Sequence, residues 1–304
     1  STLFIDKIDL KIAIGIPAFN EEKNIAKIIV KLKKIADSVI VCNDGSKDMT
    51  GDIAKELDAI VIDHPKNLGY GASIQSIFAK AKEMDFDILV TFDGDGQHRV
   101  DDIKKIIEPI TDKRVDIVIG SRFLGDKNSE VPSYRKIGIK TITSLTNITA
   151  NEKVSDSQSG FRAYNKKILN EINPSDNGMG ISTEILIKAN KQGFKIGEVP
   201  ITILYQGDTS THNPASHGLS VILSTMKFIS IEHPLKFYGI PGIILLTVGL
   251  FFIVWTIQGF SETRQIITNI SLIGIGATIL GVVLCTTSIM LFSIVSVVRE
   301  RKSN

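Results

Sequence analysis

The 304-residue chain has little of what staples or metallates a small domain. Its two cysteines, Cys42 and Cys285, lie far apart in the sequence, which excludes a disulfide framework or a thiolate metal cluster. Each reads as an apolar filler. An excess of one charge is also missing, because 35 Lys and Arg against 33 Asp and Glu leave a net charge of +2. Without a basic stripe there is no footprint for a nucleic-acid partner. The opening residues, Ser1 to Lys7, contain no long apolar run, so no secretory signal is predicted and the first domain is expected in the cytosol. The most informative lack is local: no charged residue stands between Lys236 and Glu262, and none between Arg264 and Arg299. Each run exceeds the roughly 18 to 20 residues that read as a membrane-spanning helix.

What is present divides accordingly. An α/β domain is expected over 1–214, an interfacial amphipathic helix over 215–237, and a transmembrane hairpin over 238–304 with spans at about 239–258 and 269–298. Lys227 and Lys236 precede the first span, and Arg299, Arg301 and Lys302 follow the second. The positive-inside rule then puts both flanks, and so the soluble domain and the C-terminus, on the cytosolic side of a cell or endoplasmic-reticulum type membrane. Two spans without an internal charge do not build a transport pathway alone. Gly274, Gly276, Ala277 and Gly281 leave room for close helix packing, and with it for a homo-oligomer.

From Lys11 to Arg122, short apolar β-branched runs alternate with amphipathic ones. Strands are predicted at Lys11 to Phe19, Ser38 to Cys42, Ala59 to Asp63, Asp87 to Phe92 and Val115 to Gly120. Helices are predicted at Glu21 to Ala36, Asp48 to Leu57, Gly71 to Met84 and Asp101 to Ile110. Continuous apolar strands joined by helical crossovers imply a mostly parallel sheet covered on both faces, with a ligand at the carboxyl ends of the strands. Further on, helices at Tyr134 to Ala150 and Ile181 to Lys191 and a strand from Lys195 to Tyr205 complete the domain. Three polar loops fall at the expected rim: Pro17-Ala18-Phe19-Asn20-Glu21, Asn43-Asp44-Gly45-Ser46 and Asp93-Gly94-Asp95-Gly96-Gln97-His98. One such loop is readily explained as a turn or a helix cap; three at one edge point to a site.

Asp93 and Asp95, separated by a glycine at the end of an apolar strand, can face one divalent cation together. A pyrophosphate leaving group needs such neutralisation as its bond breaks. Gln97 and His98 stand ready as further ligands or hydrogen-bonding groups. Together with Ile16-Pro17-Ala18-Phe19-Asn20-Glu21-Glu22, Asn43-Asp44-Gly45-Ser46-Lys47-Asp48 and Asn67-Leu68-Gly69-Tyr70-Gly71, this series resembles the ordered motifs of family 2 glycosyltransferases with the GT-A fold. Gly120-Ser121-Arg122-Phe123, Arg135, Ser159-Gly160-Phe161-Arg162 and Glu198-Val199-Pro200-Ile201 resemble the polyprenyl-phosphate sugar synthases within that family, such as the dolichyl-phosphate mannose and glucose synthases.

The resemblance implies an inverting transfer of a hexose (glucose, N-acetylglucosamine or mannose) from a nucleotide diphosphate sugar, with a UDP donor favoured, to dolichyl or another polyprenyl phosphate at the membrane lipid surface. On it, Pro17, Phe19, Glu21, Asp44 and Asp93 hold the nucleotide sugar, and Asp93, Asp95 and Gln97 hold Mg or Mn. Arg122 and Arg135 hold the acceptor phosphate, for which a guanidinium fork is well shaped. Asp95, Arg122 and Glu184 are the expected catalytic groups, Glu184 by facing the sugar. Ser159, Gly160 and Arg162 match a loop near donor and acceptor. One departure stands out: after Glu198-Val199-Pro200-Ile201, where the mannose synthases carry phosphate-binding Arg, Ser and Lys, this chain has the hydroxyl- and His-rich run Gln206 to Gly218. A lipid-linked oligosaccharide, glycolipid or polysaccharide acceptor, and a non-catalytic nucleotide-sugar scaffold, are the alternatives.

Overall fold

The structure is a computed structural model; it describes residues 10–124, 133–148, 152–202, 223, 226–227, 229–231, 233–265 and 267–303. The Gln206 to Gly218 run and most of the expected interfacial helix lie outside the described residues. The chain forms two compact units, Ser1–Thr225 and Met226–Asn304.

In the first unit the elements run β1 (Ile12–Ala18), α1 (Ile25–Leu32), β2 (Ser38–Asn43), α2 (Thr50–Glu56), β3 (Ile60–Asp63), α3 (Tyr70–Glu83) and β4 (Ile88–Thr91). They continue with α4 (Ile103–Thr111), β5 (Ile117–Ser121), α5 (Ser133–Ile148), β6 (Arg162–Asn165), α6 (Lys166–Glu171), α7 (Ile181–Lys191) and β7 (Ile196–Pro200). The seven strands make one sheet in the order β3-β2-β1-β4-β6-β5-β7. All neighbours are parallel except β6, which runs antiparallel to both β4 and β5. The central strands are buried on both faces because they carry apolar side chains at successive positions, as in Ile12-Ala13-Ile14 and Ile88-Leu89-Val90.

One core layer packs Ile25, Ile28, Ile29 and Leu32 of α1 and Ile103, Ile106, Ile107 and Ile110 of α4 against one face of the sheet. The other packs Ile74, Ile77, Phe78 and Ala81 of α3 and Ile181, Ile185 and Leu186 of α7 against the opposite face. The mostly parallel α/β architecture expected from the sequence is therefore present. The sequence reading had no strand at Arg162–Asn165 and no helix at Lys166–Glu171; β6 is four residues long and opens on a charge, so it carries no strand signature. Arg162 is tolerated there at 1% exposure because its guanidinium donates to three backbone oxygens, those of Ser157, Ser159 and Ser182, at 2.7–2.8 Å. It ties the loop before β6 to the start of α7.

The second unit contains α8 (Ile240–Thr263) and α9 (Thr268–Ser303). Both are long and apolar enough to cross a membrane, over Leu235–Glu262 and Thr268–Val297. Their seam is lined with glycine. A Cβ at Gly242 would meet the Cys285 backbone and the Gly281 carbonyl at 3.0 and 3.2 Å, and one at Gly249 would meet Thr278 N and the Gly274 carbonyl at 2.6 and 2.9 Å. Gly274 and Gly281 thus serve contact between the two helices of one chain. Gly276 faces open space.

Arg162→Met should cost roughly 3 kcal/mol, since it strands three carbonyls in the interior. A thermal melt of the full-length protein in detergent measures the loss; an unchanged midpoint would refute this role of Arg162.

Candidate active site

The rim at the carboxyl ends of β1, β2 and β4 is knitted together by bonds between its own loops. Asn20 adopts a left-handed conformation, φ 56°, that turns the chain out of β1. Its N–H donates to Ser46 Oγ at 3.0 Å, and its side-chain oxygen accepts from Lys47 N at 2.9 Å. The next amide, Glu21 N, donates to Thr50 Oγ1 at 2.7 Å, and Glu22 N donates to Asp48 Oδ2 at 3.1 Å. These bonds fix the β1–α1 loop on the β2–α2 loop and aim the Glu21 side chain at the turn after β4, where its Cγ lies 3.6 Å from the position of a Cβ at Gly94.

Glu21, Asp93 and Asp95 therefore crowd together. Burial raises the Glu21 carboxyl above its ordinary pKa, a bond from Asn24 pulls it back, and the charges of Asp95, Asp48 and Asp93 raise it further. Asp93 behaves oppositely. Burial pushes its carboxyl up, but a hydrogen bond and the charge of His98, a bond from Tyr70 and the charge of Arg122 outweigh burial and hold it below the usual carboxylate range. His98 Nε2 lies 3.0 Å from Asp93 Oδ2 and the Tyr70 hydroxyl 3.3 Å from Oδ1. The His98 ring packs on Phe161 and Phe92, with centroids 4.9 and 5.7 Å away, so it braces Asp93 from behind. A Cβ at Gly160 would sit 2.9 Å from Asp93 Oδ1, which only glycine avoids. Asp95 Oδ1 accepts from Gln97 N at 3.0 Å, closing the turn.

Oxygen donors on Asp93, Asp95 and Gln97, with Glu21 adding like charge, suit a hard divalent cation such as Mg or Mn. Among the described residues no three His, Cys, Asp or Glu side chains converge on one metal position. A cation here would draw further ligands from a bound anion or water. The same negative rim would repel a diphosphate unless a cation came with it.

The geometry corrects one expected role and gives a second residue a further task. Glu184, expected to face the sugar, is fully buried in α7. Its carboxylate accepts from Ser175 N at 2.9 Å, Ser175 Oγ at 2.6 Å and Asp176 N at 2.8 Å, and pairs with Lys188. Burial raises its pKa, but these donors outweigh burial and leave the group below its ordinary value. Glu184 anchors the 175–178 turn, against which the Gly69–Gly71 backbone packs so closely that a Cβ at Gly71 would overlap the Asp176 carbonyl. Gly71 N accordingly donates to the Asn177 carbonyl at 3.0 Å. Asp44, expected to touch base or ribose, is 3% exposed and accepts from Leu68 N and Gly69 N, both at 2.9 Å, and from His64 Nδ1 at 2.7 Å. Its first task is to shape the 67–69 loop, in which Gly69 takes φ 102°. Pro17, the last residue but one of β1, is half-buried, and Phe19 is 39% exposed at the rim.

Arg122 is held by a second buried acid. Its Nε and Nη2 donate to Asp156 Oδ2 and Oδ1, each at 2.7 Å. Asp156 is in turn set by Glu198, whose carboxylate accepts from Ser155 N and Asp156 N at 2.8–3.1 Å. One face of the fork expected to grip phosphate is thus matched to a protein carboxylate. The side chain of Arg135, in α5, lies outside the described residues.

The comparisons with known proteins agree with this architecture. Residues 13–172 match the model of Glycosyl transferase family 2. The UDP-N-acetylglucosamine--dolichyl-phosphate N-acetylglucosaminyltransferase of Methanococcus voltae is 37% identical, over 72% of this chain and 94% of that protein. The dolichyl-phosphate hexose transferase of Haloferax volcanii is 29% identical, over 75% of this chain and 96% of that protein. Among solved structures, glucosyl-3-phosphoglycerate synthase from Mycobacterium tuberculosis superimposes with a TM-score of 0.59 at 19% identity, over 72% of this chain and 80% of that one, and was solved there with uridine diphosphate. Other crystals of that enzyme hold uridine diphosphate with Mn2+ or Mg2+. The structural likeness establishes the GT-A-like fold. The family follows from the sequence match: this chain belongs to the family 2 glycosyl transferases and is a glycosyltransferase. The resemblance to the polyprenyl-phosphate sugar synthases within the family is borne out by the named relatives.

Glu21→Gln removes one of the crowded charges, so at neutral pH it should raise the melting temperature of the ligand-free protein. The gain should shrink as pH falls through the raised Glu21 pKa, where the wild-type group is itself neutral. Melting curves of both proteins across pH 4 to 8 measure it; a variant no more stable than wild type at neutral pH would refute the crowding.

Proposed function

We propose that the protein transfers a hexose from a nucleotide diphosphate sugar, UDP-linked, to dolichyl or another polyprenyl phosphate, with inversion at the anomeric carbon. The observation that carries this reading is the acidic rim of Glu21, Asp93 and Asp95 at the carboxyl ends of β1 and β4, in a chain that also carries two helices able to cross a membrane. The named dolichyl-phosphate relatives support the acceptor. The donor of the Methanococcus relative supports N-acetylglucosamine as the first sugar to test.

In this reading Phe19 and Pro17 border the base and Asp44 holds the ribose side of the pocket through the loop it shapes. Asp93, Asp95 and Gln97 would hold Mg or Mn, which would supply charge neutralisation to the departing diphosphate. The acceptor phosphate is already an anion at neutral pH, so one of its oxygens attacks the anomeric carbon without a strong general base. A carbon–oxygen bond to the lipid phosphate forms as the bond to the nucleoside diphosphate breaks. Arg122, oriented by Asp156, and Arg135 hold the acceptor phosphate at the attacking distance, and positioning with charge neutralisation supplies the rate. A membrane hairpin in the same chain suits an acceptor that resides in the membrane. Both flanks of the hairpin and the first unit lie on the cytosolic side, on the evidence of their lysines and arginines.

The test is transfer of label from a panel of nucleotide sugars into the organic phase, with dolichyl phosphate and Mg or Mn. One donor should serve, and Asp95→Ala should lower turnover at least about 100-fold with the fold retained. Arg122→Ala should raise the KM for lipid phosphate far more than that for donor. Binding of nucleotide sugar without transfer to any polyprenyl phosphate would redirect the assignment to an oligosaccharide, glycolipid or polymer acceptor.

A further inference from the structure

The rim loops lean on a buried histidine that the sequence reading passed over. His64 follows β3, and its side chain is 9% exposed. Nδ1 lies 2.7 Å from Asp44 Oδ1, Nε2 lies 2.8 Å from Ser76 Oγ of α3, and Cys42 Sγ of β2 approaches Nε2 at 3.5 Å. Asp44, a carboxylate, only accepts, so the ring donates its Nδ1–H to Oδ1, and in that tautomer Nε2 accepts from the Ser76 hydroxyl. Burial pushes the Cys42 thiol up to about 11, so its sulfur stays neutral beside the ring. Ser76, His64 and Asp44 stand in the order of a nucleophilic triad, but the imidazole is walled in by β2 and α3. The arrangement orients rather than attacks.

Three elements thereby converge on one carboxylate. Through Leu68 N and Gly69 N, both at 2.9 Å, Asp44 passes that restraint to the loop preceding Tyr70, whose hydroxyl supports Asp93. We propose that His64 is a positioning residue of the donor-nucleotide pocket: by donating from Nδ1 to Asp44 it fixes the 67–70 loop in the shape that accepts the nucleoside diphosphate. This rests on the reading of the rim as a nucleotide-sugar site.

The two ring nitrogens separate the proposal from a general role in packing. An asparagine side chain carries its amide N–H near the position of Nδ1, whereas glutamine reaches the position of Nε2. His64→Asn should therefore bind uridine diphosphate, titrated by calorimetry with Mn2+ into the full-length protein in detergent, within about three-fold of wild type. His64→Gln should bind about ten-fold more weakly, a difference of roughly 1.4 kcal/mol. In the transfer assay the donor KM of His64→Gln should rise while the KM for lipid phosphate holds. Equal affinity in all three proteins, a glutamine variant that binds better than the asparagine one, or donor and acceptor KM rising together would overturn the proposal, and so would a glutamine variant that fails to fold while asparagine folds normally. A wild-type protein that binds no nucleoside diphosphate would overturn the donor reading beneath it instead.

Discussion

Like charges forced together govern this site. Glu21 comes from the loop after β1, Asp93 and Asp95 from the turn after β4, and the parallel pairing of β1 with β4 brings these two chain ends side by side. Left alone, three carboxylates at such a rim would spread apart or take up protons. The fold prevents the first by lacing each loop to a neighbour, through Ser46, Asp48 and Thr50 on one side and Tyr70 and His98 on the other. It prevents the second at Asp93 by surrounding that carboxyl with donors. What remains is a stored repulsion that a cation would relieve, which suits the rim to the cation-bound diphosphate of the proposed donor.

Buried or half-buried acids recur as loop anchors around this rim. Glu184 collects the amides of the 175–178 turn, Glu198 collects those of Ser155 and Asp156, and Asp44 collects those of Leu68 and Gly69. Irregular backbone within a domain has N–H groups that no strand or helix satisfies, and a carboxylate accepts several at once. The loops of the candidate site are thereby held without regular structure. The balance differs at each anchor: donors outweigh burial at Glu184, whereas burial prevails at Glu198 and leaves its carboxyl raised.

The sequence announces the parts of this architecture that are periodic. Strands buried on both faces read as unbroken apolar runs, so β1, β2, β4 and β5 are legible, and the helices between them follow from the 3.6-residue spacing. β6 is not legible, because Arg162 is neutral to folding only by virtue of three carbonyls supplied from elsewhere in the chain. The Asp93-Gly94-Asp95 turn is legible as chemistry, whereas Glu184 is misread as facing the sugar, because nothing in the sequence shows that the Ser175 and Asp176 amides wrap its carboxylate. His64 is missed for the same reason. Its neighbours in sequence, Asp63 and Pro65, suggest only a turn, and the partners that give it a task come from β2 and from one turn and more into α3.

The glycine seam between α8 and α9 lets two backbones touch, and large apolar side chains such as Ile243, Phe251, Ile279 and Ile289 are left on the outside. In a bilayer, a hairpin closed in this way would drift as one slender body. Anything it meets there is encountered in two dimensions, and the abundance that matters is then the partner's mole fraction in the leaflet, whatever its solubility in water.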